Sequence, residues 1–200
     1  MANGKTVILA AGDFPRKGGA AWRLLAGAER VVACDSAADA YRRRFRRWPD
    51  VIIGDLDSVS RRPVPCRVIH DADQNTNDLE KAMAYCAKRG WRSPVIVGAT
   101  GKREDHMIGN VFRALDHGLV IITDRGRFVP VNGKATLKVA KGAAVSVFAP
   151  DPTTRMISKG LEWPLEGVKF RNLYCATLNR ATATRVTLTA NRPVSIYIET

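Results

Sequence analysis

Residues 51–60 read VIIGDLDSVS, and this stretch decides how the first half of the chain folds. Its first three residues are β-branched and apolar, which favours a strand buried inside a sheet. At Gly54 the strand passes into a tight turn that carries two carboxylates, those of Asp55 and Asp57. A buried strand that ends in a charged turn raises the question of which kind of sheet it belongs to and what the charges bind.

Other apolar runs of the same kind lie between residues 5 and 124, separated by stretches of helical composition. They read TVILAA, VVAC, CRVIH, PVIVGA and LVIIT. The intervening stretches predict helices over residues 39–48, 78–89 and 105–116, of which the second has an acidic cap and is closed by Gly90. This alternation of strands and helices predicts a parallel sheet with crossover helices.

Beyond residue 125 the pattern changes to short segments of alternating polarity, such as TLKVA, AAVSVFAP and VSIYIE, separated by turn signals. Such segments are typical of antiparallel strands. We therefore predict an α/β domain over residues 1–125, followed by a small antiparallel β domain over residues 126–200.

The composition is that of a globular protein, with 46% hydrophobic and 26% charged residues. No apolar run approaches the length of a membrane span or of a signal-peptide core, so we expect a cytoplasmic location without membrane association. The four cysteines are far apart and form no C-x-x-C pair. We interpret them as buried thiols rather than as zinc ligands or disulfides.

The formal net charge of +13 is the one unusual total. Such a surplus is compatible with a nucleic acid, an anionic membrane surface or a polyphosphate substrate. Its densest part is YRRRFRRW, residues 41–48, where Ala37, Tyr41, Phe45 and Trp48 would share one face of a helix. We interpret the arginines as the solvent side of that helix, with a nucleic-acid-binding patch as the alternative.

Acidic residues follow nearly every predicted strand of the first half. They are Asp13, Asp35, Asp55, Asp57, Asp71, Asp73 and Asp124. One such residue is commonly only a turn or cap residue, but the carboxyl ends of parallel strands share one edge, so several should converge there. Crowded carboxylates need a cation, and oxygen ligands favour Mg²⁺, which commonly also binds substrate phosphates. The pattern predicts a magnesium site for phosphate transfer.

The stretch GATGKREDH, residues 98–106, follows the fifth predicted strand and opens a helix. Its glycines let backbone amides approach an anion, and Lys102, Arg103 and the helix N-terminus add positive charge. It lacks the spacing of a P-loop. A lone histidine such as His106 is most often structural, and Ser58 has no evident base nearby, so we expect it to contact phosphate rather than to act as a nucleophile.

Five motifs in order resemble the thiamine pyrophosphokinase family. They are ACDSAAD (33–39), GDLDS (54–58), DQNTNDLEKA (73–82), GATGKREDHMIGN (98–110) and SKGLEWPL (158–165). The resemblance spans nearly the whole chain. It implies a parallel-sheet α/β/α catalytic domain followed by a β-sandwich, and a homodimer with the active site at the subunit interface. It also implies transfer of the pyrophosphoryl group of ATP to the hydroxyl of thiamine, with Mg²⁺, giving thiamine diphosphate and AMP.

The same resemblance implies a role for individual residues. The implied metal ligands are Asp35, Asp55, Asp57 and Asp78. The catalytic set is Asp55, Asp57, Asp78, Arg103 and Asp105, with Asp78 or Asp105 as the acceptor of the hydroxyl proton. Residues expected beside the nucleotide and its phosphates are Asp35, Ser58, Asp73, Gln74, Thr76, Asn77, Lys102 and His106. Ser158, Trp163 and Asn172 are expected to contact thiamine, although a tryptophan in a β domain is by default a core residue.

Two alternative functions remain open at the level of sequence. The first is another ATP-dependent diphosphokinase, for example one that acts on a hydroxymethylpterin. The second is a basic nucleic-acid-binding protein, which the cluster of acids opposes because carboxylates repel a phosphate backbone.

Overall fold

The structure, a computed structural model, describes residues 5–54, 64–71, 73 and 75–200. Asp55, Asp57, Ser58 and Gln74 therefore lie outside the described residues. The chain divides into two compact units, the first Met1–Arg113 with Ile121–Asp124 and the second Ala114–Val120 with Arg125–Thr200.

The first unit contains a parallel sheet with helices between its strands, as predicted. Its strands are β1 (Thr6–Leu9), β2 (Arg30–Cys34), β3 (Val51–Gly54), β4 (Arg67–His70), β5 (Val95–Val97) and β6 (Ile121–Ile122). The helices are α1 (Ala20–Ala26), α2 (Ala37–Phe45), α3 (Asp78–Lys88) and α4 (Glu104–Asp116), of which α4 extends past Arg113. The strands pair in parallel in the order β6-β5-β1-β2-β3-β4.

This strand order predicts a ligand-binding crevice near β1. The chain builds the sheet outward from β1 through β4 and then returns to add β5 and β6 on the other side of β1. In open parallel sheets, ligands bind beyond the carboxyl ends of the strands where the winding reverses. The strands near the reversal, β1, β2, β3 and β5, are buried, whereas β4 is mostly exposed at the edge.

Helix α2 places its arginines in solvent, as predicted, but ends earlier than predicted. Ala37, Ala38 and Tyr41 are buried, while the side chains from Arg42 to Arg44 are exposed. Arg46 adopts a left-handed backbone with φ of 57°, which stops the helix at Phe45. The prediction that Trp48 lies on this helix is therefore wrong, although the guanidinium of Arg42 stacks 4.6 Å from the centre of its ring.

Helix α3 is capped by an amide rather than by an acid. The side-chain oxygen of Asn77 accepts a hydrogen bond from the backbone N–H of Glu80 at 2.9 Å, so Asp78 is the first residue of the helix. Asparagine and aspartate are both good N-caps, which is why composition alone did not separate them. The predicted closing residue is confirmed, because Gly90 takes a φ of 70° just past the last turn.

The second unit forms an antiparallel β-sandwich, which confirms the predicted fold class. Its strands are β7 (Gly126–Lys138), β8 (Ala144–Phe148), β9 (Met156–Lys159), β10 (Ala176–Arg180) and β11 (Arg185–Glu199). β11 pairs with β7 along its length, with a register shift between Ala190 and Val194. Before that shift β11 also pairs with β9, and after it with β8, which in turn pairs with β10. Together these strands enclose one apolar core.

The four cysteines form no disulfide in the structure, and they are not all buried. Cys34 and Cys86 are buried, Cys66 is half-buried and Cys175 is exposed, which corrects the prediction of buried thiols for Cys175. In the part of the chain that the structure describes, no helix has both the length and the apolar character needed to cross a bilayer.

Candidate active site

Two of the predicted acids, Asp35 and Asp78, meet at the end of β3. Asp35 follows β2, and its backbone N–H donates to the carbonyl of Ile53 at 2.9 Å, which holds it beside Gly54. A Cβ placed on Gly54 would lie 3.0 Å from the Cβ of Asp35 and 3.2 Å from Cγ and Oδ2 of Asp78. A residue with a Cβ at position 54 would push the two acids away by a few tenths of an ångström, whereas glycine lets both approach, Asp35 from a strand end and Asp78 from a helix start.

Asp35 has the character of a cation ligand. It is only 7% exposed, and its Oδ1 has no hydrogen-bond partner among the described residues. Its φ of 35° is unusual for a residue with a Cβ, and such strained backbone is concentrated at functional sites. A buried carboxylate oxygen without a donor is costly unless an ion or another group compensates it. The oxygen donors of Asp35 and Asp78 thus fit a hard cation such as Mg²⁺.

The thiol of Cys34 shows that negative charge gathers here. Burial raises the pKa of this thiol well above its ordinary value, and the nearby carboxylates of Asp78 and Asp35 raise it further. Cys34 is therefore a protonated, buried thiol at neutral pH and is not a candidate nucleophile.

The predicted metal site includes residues outside those that the structure describes. Across residues 5–54, 64–71, 73 and 75–200, no group of three or more histidine, cysteine or acidic side chains is close enough to hold a metal ion. The other two predicted ligands, Asp55 and Asp57, follow Gly54 directly in the chain. Their predicted role stays a prediction, as do those of Ser58 and Gln74.

The loops after β1 and β5 are joined by backbone hydrogen bonds. Gly12 N–H donates to the carbonyl of Gly98 at 2.7 Å, and Asp13 N–H donates to that of Thr100 at 2.8 Å. The two loops approach so closely that a Cβ on Gly12 would lie 2.4 Å from the oxygen of Gly98. Gly98 and Gly101 both have positive φ, at 67° and 77°, a backbone conformation that glycine adopts without strain. This pairing places the predicted phosphate loop beside the central strand.

Two of the charged residues of this loop are engaged within the protein. The ammonium of Lys102 donates to the carbonyl of Ala11 at 2.7 Å. Arg103 makes two hydrogen bonds to Asp105, from Nε at 3.1 Å and from Nη2 at 2.5 Å, and both side chains are well exposed. The Arg103 bonds lower the pKa of Asp105 to about 2. A carboxylate held this way is a poor acceptor for a hydroxyl proton. His106 is exposed in the first turn of α4.

A tight turn precedes α3 and presents the residues that we expect near the nucleotide. Asp73 accepts hydrogen bonds from the backbone and side chain of Asn75, both at 2.9 Å, and from the hydroxyl of Thr76 at 3.3 Å. These bonds, above all that of the Asn75 backbone, lower the pKa of Asp73. Asp73 and Thr76 therefore hold the turn itself in this structure.

Asn110 is a buried polar residue that the sequence did not single out as a site residue. The Asn77 amide donates to Oδ1 of Asn110 at 3.2 Å, and the Asn110 amide donates to the carbonyl of Ala99 at 3.1 Å. These two bonds connect the start of α3 to the predicted phosphate loop, residues 98–106. Asn110 lies in the last letters of GATGKREDHMIGN, so its position in that motif was the available signal.

Asp124 has a structural role within the first unit. Its Oδ2 accepts a hydrogen bond from the backbone N–H of Arg16 at 2.9 Å. It thereby holds the loop that leads into α1, as a turn or cap residue would.

In the second unit, Ser158 is buried and its hydrogen bonds lie within the sandwich. Its hydroxyl accepts from the backbone N–H of Leu165 at 2.9 Å, and its own N–H donates to Glu166 at 3.1 Å. The hydroxyl also lies 3.4 Å from the second oxygen of Glu166. Ser158 thus shapes the segment that carries Trp163.

Trp163 is 55% exposed rather than a core residue. The buried amide of Asn179 holds its backbone on both sides, accepting from Trp163 N–H at 3.2 Å and donating to its carbonyl at 2.7 Å. An indole presented on an anchored backbone is suited to stack on a flat ligand. Asn172 is exposed and accepts from Tyr174 N–H at 3.2 Å and from the Cys175 thiol at 3.1 Å.

Comparison with protein families gives two matches that together cover most of the chain. A model described as thiamin pyrophosphokinase, catalytic domain, matches residues 21–122. A model described as thiamin pyrophosphokinase, substrate-binding domain, matches residues 126–197.

Similar proteins and structures agree with these matches. Thiamin pyrophosphokinase 1 of Caenorhabditis elegans is 26% identical over 190 residues, covering 84% of this chain and 78% of its own. Thiamine pyrophosphokinase 1 of Arabidopsis thaliana is 27% identical, covering 66% of this chain but only 58% of its own. The crystal structure of thiamin pyrophosphokinase from Geobacillus thermodenitrificans superposes with a TM-score of 0.77 at 20% identity, covering 98% of this chain and 96% of that one. That likeness establishes the fold.

Proposed function

This chain belongs to the thiamin pyrophosphokinase family, and we propose that it transfers the pyrophosphoryl group of ATP to the hydroxyl of thiamine. The hydroxyl oxygen attacks the β-phosphorus, the bond between the α- and β-phosphates breaks, and AMP leaves while the hydroxyl loses its proton. The observation that carries the proposal is the approach of Asp35 and Asp78 to Gly54, at the edge formed by the carboxyl ends of the strands, where ligands bind in such sheets. Neither the pterin nor the nucleic-acid alternative gains support from the matches.

We propose that Mg²⁺ is held by Asp35 and Asp78, together with Asp55 and Asp57. The buried oxygen of Asp35 that lacks a donor among the described residues supports this assignment. When bound, Mg²⁺ would neutralise phosphate charge. Of the two candidate bases, Asp78 is better placed than Asp105, because the pairing with Arg103 makes Asp105 a weak proton acceptor.

ATP would lie along the loops that join at β1 and β5. Arg103 and Lys102 each keep N–H groups beyond those used within the loop, and these would share the phosphate charge with His106. On the other side of the crevice, Asp73, Gln74, Thr76, Asn77 and Ser58 would contact the nucleotide. The hydrogen bonds that fix Asp73 to Asn75 and Thr76 support this role, since residues held in place need less ordering when a substrate binds.

We further propose that thiamine stacks on Trp163, with Ser158 and Asn172 nearby, and that the active enzyme is a cytoplasmic homodimer with its active site at the subunit interface. The exposed indole supports the first part. The four reduced cysteines are consistent with a reducing compartment.

Trp163→Ala is expected to raise the KM for thiamine about tenfold and to change the turnover number much less, because stacking on a cationic ring contributes about 1–2 kcal/mol. Steady-state kinetics at saturating ATP measure both constants. Ile157→Ala is the matched control, since Ile157 is as exposed as Trp163 and lies on β9 of the same unit. An unchanged KM for thiamine in Trp163→Ala would remove the indole from the site.

The direct test of the proposed function is a coupled assay of AMP release. We expect AMP only when ATP, thiamine and Mg²⁺ are all present, and none when a hydroxymethylpterin replaces thiamine. Release of AMP with the pterin instead of thiamine would contradict the proposal.

A further inference from the structure

Lys81 is a buried lysine on α3 that the proposed reaction leaves without a role. Its side chain is only 4% exposed, and among the described residues the buried charged side chains are those of Lys81 and Asp35. Burying an ammonium group is costly unless oxygen atoms surround it. Its partners therefore indicate what it does.

The ammonium of Lys81 connects α3 to the loop after β4. It donates to the carbonyl of Asp71 at 2.7 Å. Asp71 is itself held by Gly54, whose carbonyl accepts its N–H at 3.0 Å, and its Oδ1 accepts the N–H of Asp73 at 3.1 Å. One buried charge thus anchors the turn that we expect to contact the nucleotide.

The same ammonium also orients Asp78. The Nζ of Lys81 lies 3.8 Å from Oδ1 of Asp78. The other oxygen, Oδ2, is the one that approaches Gly54, and Asp35 approaches Gly54 from the same face. The carboxylate of Asp78 therefore has one oxygen toward Lys81 and the other toward Gly54, beside which Asp35 also lies.

We propose that Lys81 is a positioning residue and the internal counter-ion of this acid cluster, an inference that rests on the proposed function. It directs Oδ2 of Asp78 toward the place where the cation binds, and it offsets the repulsion between Asp78 and Asp35 when no cation is bound. As a fixed positive charge beside that place, it also weakens cation binding. Lys81 therefore lowers the affinity for Mg²⁺ while it keeps Asp78 correctly oriented.

This role predicts two opposite changes when the charge is removed. Lys81→Gln keeps a donor for the Asp71 carbonyl but removes the charge. We expect the Mg²⁺ concentration at half-saturation to fall about threefold to tenfold, because a repelling charge is gone. We expect the turnover number at saturating Mg²⁺ to fall about tenfold, because Asp78 is no longer oriented. If Lys81 had only a structural role, removing its charge would not tighten cation binding.

The experiment titrates wild type and variants with Mg²⁺ alone, following thermal unfolding, and measures turnover separately. Lys88→Gln is the matched control, because Lys88 lies on the same helix but is exposed, and it should leave both quantities unchanged. Lys81→Arg retains the charge with a different shape, so it should keep the half-saturating concentration of wild type while lowering turnover. If Lys81→Gln does not fold, the Lys81→Arg titration decides.

The proposal is overturned if Lys81→Gln binds Mg²⁺ with unchanged or weaker affinity, if Lys81→Arg shifts the half-saturating concentration, or if Mg²⁺ changes the unfolding of no variant. These titrations contain neither ATP nor thiamine. A wild-type protein that releases no AMP would therefore refute the proposed function while leaving the titration result to stand.

Discussion

Asp78→Asn is expected to lower the turnover number about a hundredfold to a thousandfold at saturating Mg²⁺ and to leave the fold intact. Asparagine has nearly the shape of aspartate but no charge, so it is a poorer ligand for a cation and cannot accept a proton at neutral pH. The side chain is 29% exposed, and Lys81 keeps its bond to the Asp71 carbonyl when the charge is lost. Steady-state AMP release measures the loss, and thermal unfolding should show a Tm within about 4 °C of wild type.

Asp116→Asn is the control for this substitution. Asp116 is an exposed acid at the last position of α4, whereas Asp78 is at the first position of α3. The control should retain wild-type turnover. Asp105→Asn should lose less activity than Asp78→Asn, because the carboxylate of Asp105 is already hydrogen-bonded to Arg103. Near-normal turnover of Asp78→Asn at saturating Mg²⁺ would exclude it from both proposed roles.

The convergence of Asp35 and Asp78 could be predicted because it follows from topology. Parallel strands bring their carboxyl ends to one edge, so any acid just past such a strand or at the start of the next helix points to the same region. The joined loops after β1 and β5 follow from the same rule. The sequence reports these features directly, through apolar runs that end in glycine and aspartate.

Other features depend on tertiary contacts that local patterns do not encode. Helix α1 has only seven residues between glycines, too few for a clear periodic signal, and its buried Ala21 and Leu25 hold it in place. Lys81 lies off the apolar stripe of α3 that contains Leu79 and Met83, yet it is buried, with its ammonium bonded to the Asp71 carbonyl in the loop after β4. No spacing rule predicts that contact.

Trp163 is also placed by tertiary contacts, but in its case they keep exposed a residue that the local pattern assigns to the core. Its aromatic side chain alone favours a core position, and only its place in SKGLEWPL indicated a site. The buried Asn179, sixteen residues further on, holds the Trp163 backbone so that the indole stays exposed. A residue that fixes another from such a distance has no sequence signature, so Asn179 was missed.

Gly12→Ala is expected to disrupt the joined loops and with them both stability and activity. The added Cβ would lie 2.4 Å from the carbonyl oxygen of Gly98 and 2.5 Å from that of Thr100. Both are backbone atoms, which cannot rotate away as the end of a side chain can. The loops must separate and lose the two hydrogen bonds that join them, so we expect the free energy of unfolding to fall by about 2–3 kcal/mol and the Tm by roughly 5–10 °C.

Activity should fall more than stability alone explains, because the loop after β5 carries Lys102 and Arg103 and a shift of about 1 Å is enough to misplace charged groups at a phosphate. Assayed well below its Tm, Gly12→Ala should retain less than about a tenth of wild-type turnover. Gly27→Ala makes the same change where the new Cβ meets its nearest atom at an ordinary 3.4 Å, and it should be neutral in both measurements. If Gly12→Ala has the same Tm and turnover number as Gly27→Ala, the two loops are not joined in solution as the structure shows. Other contacts would then hold the loop after β5 in place.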